Sequence, residues 1–402
     1  MTLAVASHPS APPSEHDLAR WIAADRDARP ARLARLRDRL ERAGIDAYFG
    51  VRRENSRYLT GFVLADGEEK VAGNSGQFLV FPHEVVVFAD SRYTEQATEE
   101  CPDARVAPVY HDLPSRWPEL VGGGRRVAVE AGFVPKATWD RLVAAAPDVE
   151  LVAVEGWIEA DRATKEPAEI ERIAAACAVA DAALERLLPT IRPGQTEAEL
   201  ALALEWEMRT HGAEALAFDV AALVGPRAAL PHGSPGRHAV GVGEVLLFDF
   251  GAQVAGYRSD MTRTLFVGPP RASDLVIYEL VAAAQEAAFA ALAEAVDDGL
   301  DPAGFAIDQT AREIIVAAGH GEHFGHGLGH GIGLATHELP TVSRLADPDV
   351  LVGGPTVFSV EPGVYLPGQT GVRIEDLVLF DPAARRLERL TRFPREVTVV
   401  GA

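Results

Sequence analysis

The chain has 402 residues, room for two or three domains at roughly 150 residues each, and its 48% hydrophobic and 24% charged content excludes a disordered or fibrous protein. Thirty-eight basic against 59 acidic residues give a net charge of −21, which repels nucleic acid and anionic lipid. Cys101 and Cys177 are the only cysteines, far apart and without CxxC spacing, so a disulfide scaffold and a thiolate metal site are also excluded and a reducing cytoplasm is the expected compartment.

The segment 1–13, ending Ala11-Pro12-Pro13, lacks a basic n-region and reads as a loose tail rather than a signal peptide. No apolar run reaches the roughly 20 residues of a membrane span, so no membrane partner is expected. From Glu15 to about Ala43, Leu18, Trp21, Ile22, Leu33, Leu36 and Leu40 recur among charges, predicting an amphipathic helix interrupted near Pro30. Short strands follow at Ile45–Phe49, Gln77–Phe81 and Val85–Ala89, separated by helical stretches such as Thr94–Glu100. This alternation predicts a small α/β domain over 1–157.

The character changes at Lys165-Glu166-Pro167, and a second domain is expected over 158–402. Ala-rich helices are predicted at 168–188, 196–211, 273–296 and 303–318, the second opened by Pro193-Gly194-Gln195-Thr196. Strands are predicted near 245–250, 260–267, 356–361 and 371–380, giving a mixed sheet covered by helices.

Five residues of this second half stand out. Asp249 and Asp260 both sit where apolar strands should be, in Leu247-Phe248-Asp249-Phe250-Gly251 and Gly256-Tyr257-Arg258-Ser259-Asp260-Met261-Thr262. A hairpin centred near Val254 and Ala255 would set the two aspartates opposite one another, with Cβ atoms about 4.5–5.5 Å apart. Like charges so placed need a cation or a shared proton; the plain alternative is a pair of turn-flanking residues facing water. Between His320 and His337 lie five of the chain's twelve histidines, with glycine at every odd position from 325 to 333. Glycine there disfavours a helix and permits close backbone approach to a ligand, and an extended backbone projects His326 and His330 to one side. Glu361 and Glu375 then interrupt apolar runs at Val360-Glu361-Pro362-Gly363 and Ile374-Glu375-Asp376. Strand period puts Arg373 and Glu375 on one face, so a structural Arg–Glu pair is the plain alternative there.

Asp249, Asp260, His330, Glu361 and Glu375 together offer four carboxylates and one imidazole. Two divalent cations would neutralise those charges, and metal pairs of this class bring the pKa of a shared water towards neutrality. The oxygen-rich set without thiolates favours Mn²⁺, with Co²⁺ or Zn²⁺ as alternatives, over a structural zinc site. Rival motifs are absent: the glycines do not satisfy GxGxxG, and there is neither a GxxxxGK[ST] loop nor a GxSxG elbow.

These segments, in this order, resemble metallopeptidase family M24, which includes Xaa-Pro aminopeptidase (aminopeptidase P), Xaa-Pro dipeptidase (prolidase) and creatinase-like members. The resemblance is strongest over about 160–380. Asn55-Ser56-Arg57-Tyr58-Leu59-Thr60-Gly61-Phe62 and Asp90-Ser91-Arg92-Tyr93 add a weaker likeness to the family's smaller domain. It implies an α+β fold: a pita-bread catalytic domain of helices over a curved, largely antiparallel sheet, preceded by a creatinase-type α/β domain. It implies that Asp249 binds one metal, that His330 and Glu361 bind the other, and that Asp260 and Glu375 bridge them. It further implies that His232 and His337 stabilise the oxyanion, that His326 lies beside the substrate, that Glu361 moves the proton, and that Arg373 and Tyr365 orient the carboxylates and the intermediate. His320, His323 and Asp376 fall outside these positions and are read as structural. The function implied is hydrolysis of the Xaa-Pro bond at the N-terminus of small peptides, with aminopeptidase preferred over dipeptidase on the Asp90-Ser91-Arg92-Tyr93 segment, and a homodimer. A creatinase-like C–N hydrolase and a non-catalytic peptide-binding module are the rivals.

Overall fold

In a computed structural model of the chain the described residues are 4–5, 11–64 and 73–401. They form two compact units, one over Ile22–Asp161 and one combining Met1–Trp21 with Arg162–Ala402. Most of the expected loose tail, residues 1–3 and 6–10, lies outside the described residues, whereas Ala4–Val5 pairs in parallel with Glu388–Arg389.

The smaller unit is built on a six-stranded mixed sheet in the order Arg105–Ala107, Val85–Phe88, Phe78–Val80, Ala47–Gly50, Arg126–Glu130, Glu150–Val154. Its central strands are buried on both faces, which is why they read as continuous apolar runs rather than alternating ones. Phe49 packs edge-on against Trp117 with ring centroids 5.0 Å apart, joining the sheet to the helix Leu113–Leu120. The helix Glu15–Ala43 runs through Pro30 without the expected interruption. Proline removes one backbone donor there, but beyond it Arg32, Leu36 and Leu40 are all buried. Arg32 also donates to the Tyr58 carbonyl at 3.0 Å, so packing fixes the helical path across the break.

The larger unit carries a six-stranded, a four-stranded, a three-stranded and a two-stranded sheet among its described residues. Nearly all pairings are antiparallel, the exceptions being two short parallel pairs that bring in Ala4–Val5 and Val399–Val400. The strand Glu244–Phe250 shows how sequence period builds the layers. Leu246, Phe248 and Phe250 face one core, with the helices Pro167–Leu187 and Glu197–Thr210; Val245 and Leu247 face another, with Ala272–Asp298 and Gly304–Ala317. The helix Ala272–Asp298 is long and apolar enough to cross a membrane by length and composition alone, although Glu279, Glu286 and Glu294 interrupt its apolar run. Its Ile277, Tyr278, Val281, Ala284, Ala288, Phe289, Leu292 and Val296 are buried in the core of this unit.

Two expectations about the strands are corrected, and both corrections shape the site. The hairpin turns at Ala255-Gly256, both with positive φ (46° and 85°), as a two-residue hairpin requires. The register is therefore two residues further on: Asp249 faces Thr262, and Asp260 lies beyond the ladder. A shift of two preserves the face, so both aspartates remain on one side. The single strand expected over 371–380 is instead two, Thr370–Arg373 pairing with Gly363–Leu366 and Asp376–Asp381 pairing with Thr356–Val360. Glu375 sits at the junction where the chain changes partners.

Candidate metal centre

Asp249 ends the inner row that begins with Val245 and Leu247, where the apolar face gives way to a cavity of about 370 Å³. That cavity is lined by His232, Asp249, Asp260, His326, His330, His337, Glu361, Arg373 and Glu375, so nine of the ten residues singled out from the sequence converge on it. The tenth, Tyr365, touches two of them: its hydroxyl lies 2.7 Å from Arg373 Nη1 and 2.9 Å from His326 Nε2. A larger cavity of about 860 Å³ opens in the other unit beside Arg37, Glu84 and Arg105, but Arg105 is already paired with Glu84 at 2.8 Å, and among the described residues the group of ligand atoms close enough to share an ion lies elsewhere, at Asp260, His330 and Glu375.

Two of the odd-numbered glycines, Gly329 and Gly331, admit neighbouring strands. A Cβ on Gly329 would lie 1.8 Å from the Ser359 carbonyl oxygen, and one on Gly331 2.0 Å from that of Leu339. The strand Gly329–Gly331 is thereby wedged between two others, and His330 projects from it into the cavity. His330 Nδ1 faces the Gly331 carbonyl at 3.1 Å, which fixes the proton there and turns the Nε2 lone pair towards Glu361 Oε1 (3.3 Å) and Asp260 Oδ2 (3.7 Å). His326 Nδ1 lies 2.7 Å from the Gly327 carbonyl oxygen, so its Nε2 accepts the Tyr365 hydroxyl proton and both ring nitrogens are engaged. The His337 ring is 4.1 Å from that of His330. Burial, then His330 and His232, push its pKa down to about 4, leaving it a neutral imidazole.

Arg373 is spread over three partners. Its Nη2 donates to Asp249 Oδ2 at 2.5 Å, its Nη1 to Tyr365 and its Nε to Thr262 Oγ1 at 2.9 Å. The Arg373–Glu375 pair considered from strand period does not form. Asp376 points the other way, to Arg263, Gln285 and Thr391.

Ligand atoms of Asp260, His330 and Glu375 lie within 4.8 Å of one another. Asp260 Oδ1 and Glu375 Oε1 are buried without a hydrogen-bond partner among the described residues. Burial, and then the neighbouring carboxylates, raise the pKa values of Asp260 and Glu375 well above the ordinary range; burial also raises that of Glu361. Orphaned buried oxygens in a cluster of hard donors fit divalent cations, which would satisfy them and offset the repulsion.

Two residues here escaped the reading of the sequence. Thr262 Oγ1 donates to Glu375 Oε2 at 2.7 Å, and Ser359 Oγ donates to Glu361 Oε1 while accepting from His330 N, both at 3.1 Å. Each is a strand hydroxyl two residues from an acidic group, Asp260 or Glu361, and that spacing was the available signal.

The model of metallopeptidase family M24 matches residues 171–382, and that of the creatinase/prolidase N-terminal domain matches 32–164. An Xaa-Pro dipeptidase of Pyrococcus horikoshii is 33% identical over 89% of this chain and 96% of its own length. Among solved structures, an Xaa-Pro dipeptidase from Bacillus anthracis matches with a TM-score of 0.81 at 31% identity, covering 92% of this chain and 99% of that one. An X-Pro aminopeptidase from Thermotoga maritima matches with a TM-score of 0.79 at 34% identity, with the same coverage.

Proposed function

The chain belongs to metallopeptidase family M24, with a creatinase-type domain ahead of a pita-bread catalytic domain, and on that premise we propose that this metallo-exopeptidase is an Xaa-Pro dipeptidase. The observation that carries the chemistry is the pair of orphaned, buried carboxylate oxygens, Asp260 Oδ1 and Glu375 Oε1, in a cluster with His330. The dipeptidase reading is supported by the names of relatives aligned over most of both chains. The aminopeptidase reading leaned on Asp90-Ser91-Arg92-Tyr93, and there Asp90 and Arg92 bind each other through two bonds of 2.8 and 2.9 Å. That pairing gives the motif a local structural role in a turn.

Asp249 would hold one cation, His330 and Glu361 the other, and Asp260 and Glu375 both; the oxygen-rich set favours Mn²⁺. A cation pair bound there supplies an activated water and polarises the scissile carbonyl. His232 and His337 flank the same cavity, and neutral His337 donates an N–H to the carbonyl oxygen as negative charge develops on it. Glu361 takes the proton from the attacking water and delivers it to the proline nitrogen. His326, with both nitrogens engaged, forms a fixed wall beside the substrate rather than a proton donor. Arg373 holds Asp249 and Tyr365 in place. A cytoplasmic address fits two cysteines that are free and buried, and a homodimer is the proposed assembly.

The test is release of alanine from Ala-Pro and from Ala-Pro-Ala by metal-stripped protein, with and without Mn²⁺. Mn²⁺-dependent cleavage of Ala-Pro in preference to the tripeptide is expected. Preference for Ala-Pro-Ala would return the assignment to an aminopeptidase. Cleavage of neither peptide by protein holding two cations would refute the Xaa-Pro reading.

A further inference from the structure

We propose that Thr262 is a positioning residue for the metal centre, one whose hydroxyl decides which oxygen of Glu375 faces a cation. The inference rests on the dinuclear reading above and extends it to a residue outside the ligand set. Thr262 is fully buried on the strand Met261–Val267 and stands directly opposite Asp249 in the ladder.

Its hydroxyl orientation follows from its partners. Arg373 Nε carries a hydrogen and no lone pair, so across 2.9 Å it donates to Thr262 Oγ1. The hydroxyl proton is then left for Glu375 Oε2, 2.7 Å away. Glu375 is held a second time through its backbone, its N–H donating to the Thr262 carbonyl at 3.1 Å. With Oε2 engaged, Oε1 is the oxygen left without a partner among the described residues, and it is buried.

The same guanidinium holds Asp249 Oδ2 at 2.5 Å, so Arg373 and Thr262 form one relay between Asp249, on the strand Glu244–Phe250, and Glu375, at the junction between two strands. A hydrogen bond of this kind beyond the ligands fixes their orientation, and breaking one commonly costs about 10–100-fold in metal affinity. Loss of the Thr262 hydroxyl frees Glu375 to turn Oε2 inward and leaves Arg373 Nε without its acceptor. Glu375 is then no longer presented through a single oxygen.

Thr262→Val keeps the β-branched shape and removes only the hydroxyl. Mn²⁺ titration of metal-stripped protein, followed by calorimetry and by the EPR signal of free Mn²⁺, is expected to show two sites in the wild type. In Thr262→Val one site should be retained and the other weakened about 10–100-fold, and Thr262→Ser should recover wild-type affinities to within about threefold. Wild-type affinities in Thr262→Val would overturn the proposal, as would a Thr262→Ser variant as weak as the valine one. Should the valine variant not fold, Thr262→Cys, a weaker donor at the same place, is expected to bind the second cation less tightly than the wild type; equal binding overturns the proposal. A wild-type protein that holds fewer than two cations would instead remove the dinuclear reading itself, and Thr262 with it.

Discussion

Asp260→Asn should act with opposite signs on the metal-free and the metal-loaded protein. Asp260 is 4% exposed, and the ligand atoms it shares with His330 and Glu375 lie within 4.8 Å of one another. At that separation two unit charges interact by about 3.5 kcal/mol for an effective dielectric constant near 20. Without cations this is repulsion, of which protons relieve part, as the raised pKa values indicate. With cations in place the removed carboxylate is an attraction to divalent charge no farther away, so its loss costs at least about the same amount, or 10²–10³-fold in Kd. The asparagine amide can donate to the neighbouring carboxylates, which limits the packing cost. Metal-stripped Asp260→Asn is therefore expected to melt at or above the wild-type temperature, while calorimetric titration with Mn²⁺ shows its weaker site lost or weakened at least 10²-fold. Two Mn²⁺ bound with wild-type affinities would refute the reasoning. So would a metal-stripped variant that melts below the wild type, since the cluster would then not be one of mutually repelling carboxylates.

His337→Ala should keep both cations and lower kcat by about 10²–10³-fold, the size of effect that removing an oxyanion donor produces; loss of a cation on this change would make His337 a ligand instead. Ser359→Ala removes the hydroxyl between His330 N and Glu361 Oε1, and metal affinity measured by Mn²⁺ titration should fall about 10–100-fold, with unchanged binding and turnover counting against that role. Asp181 is buried beneath the backbone N–H groups of Arg392 and Phe393, and burial raises its pKa from 3.8 to about 6. Folding therefore favours its protonated form, and the stability this gives is full below the unfolded pKa and lost as pH rises through about 6. The unfolding free energy of metal-stripped wild type relative to Asp181→Asn should fall by about 2 kcal/mol between pH 4.5 and 6.5, and a pH-independent difference in urea melts would refute it.

The convergence of acidic residues on one cavity was legible in the sequence because they break a strong local pattern. Asp249, Glu361 and Glu375 each interrupt a run of buried apolar residues, where a lone carboxylate is costly, and that cost is visible without coordinates. Register was not legible to the same degree. Placing the turn at Val254 and Ala255 treated Gly256 as a strand residue, when its positive φ makes it the second turn residue and slides the partner strand by two. Nor did the run around Glu375 reveal that the chain changes sheets there, because Val372, Ile374 and Leu377 are apolar on either side of the junction and their pattern is the same whichever strand they pair with. The glycines at 329 and 331 were read for what they allow locally, yet their cause lies in Ser359 and Leu339, which only the folded chain brings near.

The charge distribution decides between the two readings that strand period left open for Arg373 and Glu375. A structural ion pair needs the guanidinium on Glu375, but its three nitrogens are spent on Asp249, Tyr365 and Thr262. Among the described side chains Glu375 receives only a hydroxyl, Glu361 only another hydroxyl and the edge of the His330 imidazole, and Asp260 only that same imidazole, whose pKa burial lowers. One guanidinium against four carboxylates in a buried cavity leaves a deficit of positive charge that no described side chain fills. A protein could discharge it with protons, and the raised pKa values of Asp260, Glu361 and Glu375 are that response when cations are withheld. The orphaned oxygens fit cations better than protons alone: a protonated carboxyl needs an acceptor for its hydrogen, and Asp260 Oδ1 and Glu375 Oε1 have no hydrogen-bond partner among the described residues. Cations meet both requirements at once, which is why the geometry favours a metal centre over a buried salt bridge.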